Sequence, residues 1–151
     1  MRRRLPRRGS HARPPGGDNV PSMRLELSSR SDLALRSMRA LSLDERTPRS
    51  VLAEEVETTP DFLARVMAPL VARGWVESRP GVAGGYLLVV PLADVTMRDL
   101  IEAVEGPIDT GQCALRGGPC AVEQRCALHV PWTRARDALV AELESISLES
   151  A

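Results

Sequence analysis

TPRSVLAEEVETTPDFLARVMAPLVARGWVESRPGVAGGYLLVV, residues 47–90, carries the topology of the chain. Thr47 and Pro48 open one helix, with apolar positions at Val51, Leu52, Ala53 and Val56; the fixed φ of proline suits the first helical position. Thr59 and Pro60 repeat the device before Phe62, Leu63, Val66, Met67, Leu70 and Val71, and Gly74 closes this second helix. Two short helices joined by a tight turn make a helix-turn-helix, although a helical hairpin of any function gives the same pattern. The segment after Gly74 narrows the choice. Residues 75–78 (WVES) read as a strand, 79–85 (RPGVAGG) as a flexible turn and 86–90 (YLLVV) as the returning strand. A β-wing after a recognition helix predicts a winged helix, in which the helix enters the major groove and the glycine-rich tip lies against the backbone or minor groove.

Outward from this stretch the pattern stays helical. Leu33, Leu35, Met38 and Leu41 recur at helical spacing behind Ser31 as N-cap, predicting a first helix that ends near Leu43 with Arg36 and Arg39 on its outer face. Thr96 starts another helix (Met97, Leu100, Ile101, Val104), with Asp99 completing an imperfect capping box and Gly106-Pro107 as the stop. From about His129, residues Trp132, Ala135, Leu139, Leu143 and Ile146 follow three-and-four spacing. One narrow apolar stripe on so small a domain predicts a two-helix dimer interface; packing on its own domain is the alternative.

At 151 residues with 43% hydrophobic side chains, the chain suits one compact domain plus an appendage. Aromatics make up 3% (Phe62, Trp75, Tyr86 and Trp132), so the core is built from Leu, Val, Ala and Met, which argues against a β-sandwich. All twenty cations are arginine. Six lie before Met23, in an Arg/Pro/Gly-rich tail (residues 1–22) expected to be disordered; patterned sequence begins at Met23, which suggests that translation starts there. From Met23 onward fourteen arginines face nineteen acids, so the broad basic footprint of many nucleic-acid-binding proteins is missing. No run reaches the roughly 18 apolar residues of a membrane span, and the basic start lacks the apolar region of a secretory signal. A cytoplasmic protein is expected.

All three cysteines lie in residues 111–129, GQCALRGGPCAVEQRCALH, with gaps of six and five residues between them and two before His129. Three thiols in a reducing compartment argue against disulfides, and a Gly/Pro-rich loop lets thiolates converge on one soft metal centre, with Arg116 and Arg125 favouring deprotonated sulfur. Spacing alone leaves an iron-sulfur cluster and a Cys-Cys-Cys-His zinc site both open, with redox-active thiols a third reading.

MRLELSSRSDLALRSM (23–38), GVAGGYLL (81–88), VTMRDLIEAVEGP (95–107), the cysteine loop and CALHVPWTRARDAL (126–139) together resemble the Rrf2-type winged-helix transcription regulators, whose members include IscR-like and NsrR-like iron-sulfur proteins. The resemblance implies that Cys113, Cys120 and Cys126 ligate a two-iron or four-iron cluster. It offers two candidates for the fourth ligand: His129, as in the IscR-like pattern, or Asp32, as in the NsrR-like pattern, where the carboxylate comes from the partner subunit. The opening SDLALRSM leans towards Asp32. By the same resemblance the base-reading positions fall on Asp61, Ala64 and Arg65, of which Arg65 offers the bidentate guanine contact. The wing arginine of some relatives falls at Pro80, with Arg79 one residue earlier.

The expected molecule is therefore a mainly α protein with a small β-wing: a winged helix-turn-helix over 23–106, a cluster-binding loop over 107–128 and a dimerisation helix within 129–151. It binds an operator duplex as a homodimeric repressor, through Thr47, Arg49, Thr59, Asp61, Phe62, Arg65, Arg79, Gly81, Gly84 and Gly85. No catalysis and no small-molecule substrate are expected, since there is no Cys-x2-Cys and no supporting βαβ pattern for a thiol oxidoreductase. A zinc-stabilised or thiol-based winged-helix regulator is the alternative.

Overall fold

A computed structural model describes residues 27–81, 83–113, 115, 118–119 and 126–151. The basic tail, Cys120, Arg116 and Arg125 lie outside these residues. Five helices and a two-stranded antiparallel sheet follow in the order α1 (Ser29–Ala40), α2 (Arg49–Glu55), α3 (Pro60–Ala72), β1 (Val76–Arg79), β2 (Gly85–Leu88), α4 (Met97–Glu105) and α5 (His129–Ser145), with a short 3-10 turn at Leu92–Asp94. The mainly helical, winged architecture expected from sequence is the one found.

Local chemistry accounts for most boundaries. The Thr59 side chain caps α3 by accepting from the Phe62 N–H, and Pro60 occupies the first helical position. Gly74, at φ 75°, takes the left-handed conformation that ends this helix. At α4 the Thr96–Asp99 capping box forms in both directions.

Elsewhere the structure differs from expectation. The N-cap of α1 is Ser28, which accepts from the Arg30 and Ser31 N–H groups, so the helix begins earlier than Ser31 and ends at Ala40. Ser31 sits fully buried inside it, its hydroxyl donating to Glu105 at 2.8 Å. Pro48 is the N-cap of α2 rather than its first residue. Pro69 lies within α3, where it removes one donor to the preceding turn; packing of Val66, Met67 and Leu70 carries the helix through.

One core joins these elements. Leu33, Ala34 and Met38 of α1, Leu52 of α2, Leu63, Val66, Met67 and Leu70 of α3, and Leu100 of α4 are all buried, with Val76 and Leu88 closing the core from the wing. The chain beyond α5 returns to this core. The Met97 N–H donates to the Ile146 carbonyl and the Leu148 N–H to the Val95 carbonyl, both at 2.9 Å, and Leu148 is fully buried. Ile146 therefore ends the last helix instead of extending its stripe. Leu143 is partly buried against the core, while Val130, Trp132 and Leu139 are exposed. Among the described residues no helix is long and apolar enough to cross a membrane.

Candidate nucleic-acid interface and cysteine cleft

β1 and β2 pair from Val76↔Leu88 to Arg79↔Gly85, and Thr47 adds a bridge to Tyr86 with backbone hydrogen bonds of 2.8 and 2.9 Å. This third contact ties the wing to the entrance of α2. Gly85 permits it: at φ 138° it lies where a Cβ would stand 2.1 Å from the Thr47 carbonyl oxygen. Arg46, largely buried, fastens the wing from below, donating to the carbonyls of Glu77 and Gly85 and pairing with the Glu77 carboxylate at 3.1 Å.

Between wing and helices lies an open groove of about 650 Å³, bordered by Arg49, Ser50, Pro60, Arg79, Gly81, Gly84 and Gly85 among others. Four expected DNA-contacting residues from the wing and one from α2 thus meet along one groove. On α3, Asp61, Phe62 and Arg65 are exposed and Ala64 half-buried, while Leu63, Val66 and Met67 point into the core. The other two expected contacts are used differently: Thr59 as a cap, Thr47 through its backbone against Tyr86.

The charges on this surface are arranged in pairs. Arg49 donates through Nε to the Pro60 carbonyl and through NH2 to Asp61 Oδ1, each at 2.7 Å. Arg79 rests on Glu77 at 2.9 Å, and this hydrogen bond, helped by Arg46, holds the Glu77 carboxyl below its usual range. Among the described residues none forms an ion pair or hydrogen bond with the Arg65 side chain.

The second site lies at the start of α5. An open cleft of about 140 Å³ is lined by Cys113, Cys126, Asp109, His129, Trp132 and Arg136 among others. Its sulfurs are brought together by two local devices. The Cys113 N–H donates to the Gly118 carbonyl at 2.8 Å beside a Gln112↔Pro119 bridge, and the Cys126 carbonyl accepts from the His129 N–H at 3.0 Å. The two Sγ atoms end 3.7 Å apart, too far to be bonded to one another. His129, Trp132, Thr133 and Arg136 recur at i, i+3, i+4 and i+7, so one face of α5 walls the cleft, and Arg136 pairs with Asp109 across it at 2.6 Å.

Asp32 is placed elsewhere in the chain. It sits in the first turn of α1, half-exposed and paired with Arg36 at 3.0 Å, and is not among the residues lining the cleft. Asp109, Arg136 and Trp132 line the cleft although the sequence assigned none of them to it, Trp132 being read as part of the apolar stripe; the helical spacing of Trp132 and Arg136 from His129 is the signal that could have placed them there. A clamp links α1 to the segment leading into the loop. Hydrogen bonds from Ser28, and to a lesser degree Ser31, hold the Glu105 carboxyl below its usual range against partial burial.

Comparison with known proteins agrees with this geometry. The family model described as "Rrf2: Iron-dependent Transcriptional regulator" matches residues 27–151. The HTH-type transcriptional regulator IscR of Photorhabdus laumondii is 29% identical over 128 residues, covering 83% of this chain and 77% of that one. Among solved structures, CymR, described as the global cysteine regulator of B. subtilis, superposes with a TM-score of 0.66 at 28% identity, covering 84% of this chain and 95% of CymR. An oxidised form of Staphylococcus aureus CymR matches with a TM-score of 0.63 at 25% identity, covering 83% of this chain and 94% of that one. With the helix-turn-helix, the wing and a long last helix all in place, the chain belongs to the Rrf2 family of transcriptional regulators.

Proposed function

We propose that the chain is a cytoplasmic, homodimeric, sequence-specific repressor whose cysteine loop holds an iron-sulfur cluster that sets its affinity for an operator duplex. The observation that carries the metal reading is the approach of Cys113 and Cys126 to 3.7 Å beside His129. Two thiolates on one tetrahedral metal with bonds of about 2.3 Å would stand about 3.8 Å apart, so the spacing of this sulfur pair suits two ligands of one iron or zinc; among the described residues no group of three or more His, Cys, Asp or Glu side chains is yet gathered for a metal, and the remaining ligands would have to close on the pair. Cys120 is the third proposed ligand. His129, which already walls the cleft, is the fourth candidate from the same chain; Asp32 of the partner subunit is the other. A bound cluster would supply iron responsive to nitric oxide, oxygen or iron shortage. The exposed Trp132 and Leu139, seven residues apart on one side of α5, support the dimer, since a partner helix would cover them.

The test is an ultraviolet-visible spectrum with iron and sulfide analysis on anaerobically purified protein. A brown protein with matching iron and sulfide is expected, and Cys126→Ala should lose colour and metal while remaining folded. Full iron retention in that variant would sink the assignment. The likeness to an oxidised CymR favours a second reading, in which Cys113 and Cys126 act as a thiol pair; it calls for a colourless, metal-free protein that gains a disulfide on oxidation.

Base reading is assigned to Arg65, exposed on α3. Arg65→Ala is expected to cost roughly 1 to 3 kcal/mol of binding to the preferred duplex and little on unrelated DNA. A uniform loss on all sequences would mean a phosphate contact instead.

A further inference from the structure

Asp61 and Arg65 lie one turn apart on the exposed face of α3, acid first, the spacing and order in which opposite charges attract along a helix. They do not pair. Asp61 Oδ1 is 2.7 Å from NH2 of Arg49, and Nε of the same guanidinium donates to the Pro60 carbonyl at 2.7 Å. A planar fork that grips a backbone oxygen and a carboxylate on successive residues fixes both, where an ammonium could not. The Asp61 side chain is otherwise 90% exposed, so no packing holds it in place. Arg65 is left with no ionic partner among the described residues.

We propose that Arg49 is a positioning residue for recognition: by holding Asp61 against the entrance of α3, it keeps the Arg65 guanidinium available to a guanine edge. This rests on the assignment of base reading to Arg65. Without Arg49 the carboxylate turns to Arg65 and engages the donors that a guanine would use.

The probe is a duplex selected from a randomised pool by the full-length protein, measured against a scrambled duplex of the same composition. Arg49→Ala should reduce the preference for the selected duplex at least about fivefold, the lower end of what one bidentate contact supplies. Adding Asp61→Asn to Arg49→Ala should restore most of that preference, because the amide no longer neutralises Arg65. If Arg49 acts only through phosphate, both duplexes lose affinity equally, the salt slope falls by about one, and the second substitution rescues nothing, which overturns the proposal. Failure of the base-reading assignment looks different: either no duplex is enriched, or Arg65→Ala keeps full preference, and the role of Arg49 falls with it.

Discussion

Gly85→Ala should detach the wing. The new Cβ would meet the Thr47 carbonyl oxygen at 2.1 Å, its carbon at 2.7 Å and the Pro48 Cα at 2.9 Å, all backbone atoms with no rotamer to yield. Holding an L-residue at φ 138° adds strain of order 1 to 3 kcal/mol. Relief requires breaking the Thr47–Tyr86 bridge, which moves the start of α2 and one wall of the groove together. A loss of about 3 kcal/mol or more is expected, read as a fall in Tm of roughly 10 °C, with DNA affinity falling in parallel. An unchanged melting curve would mean that β2 and the Thr47 segment are not paired in solution.

The second large effect belongs to Leu100→Ala. Leu100 is fully buried on α4, the helix that packs against α1, α3 and α5. Truncation removes the transfer energy of the side chain and opens a void that three helices would have to close at once, at a cost of about 2 to 5 kcal/mol. The expected signature is a lower urea midpoint at constant slope, because the surface exposed on unfolding scarcely changes. A shift under about 1 kcal/mol would show that the helices collapse freely around this position.

Where the structure agrees closely with the sequence, the signal is local. Thr59-Pro60 and Thr96 with Asp99 need only their own next turn to act as caps, so reading three residues ahead suffices. The start of α1 fails that test: Ser28, Ser29 and Ser31 all offer a capping hydroxyl, and the choice is made by Glu105, 77 positions away from Ser28, which engages both Ser28 and the buried Ser31. The stripe on the last helix divides for a similar reason. Leu143 and Leu148 find the core because the chain turns back at Ile146, a reversal that helical periodicity does not encode. In the candidate sites, Cys113, Cys126 and His129 were legible from their clustering, and the exposed face of α3 from its apolar opposite face. The pairing of Arg49 with Asp61 was not, since two residues each expected to face DNA satisfy one another across a turn between helices.

The way α5 is fastened has a mechanical result. Its C-terminal end is pinned: Ser147 bridges to Thr96, Ile146 is bonded to Met97, and Leu148 is buried beneath. At its other end stand His129 and the two sulfurs, about 25 Å away along a helix of 17 residues. A rod set in the core at one end, and tied at the other through Arg136 and Asp109 to the segment that leads into the cysteine loop, answers a push there by swinging rather than sliding. A displacement of about 1 Å at the sulfur end is then a tilt of only about two degrees, with α4 as the hinge plate and the open apolar side chains near the moving tip travelling farthest.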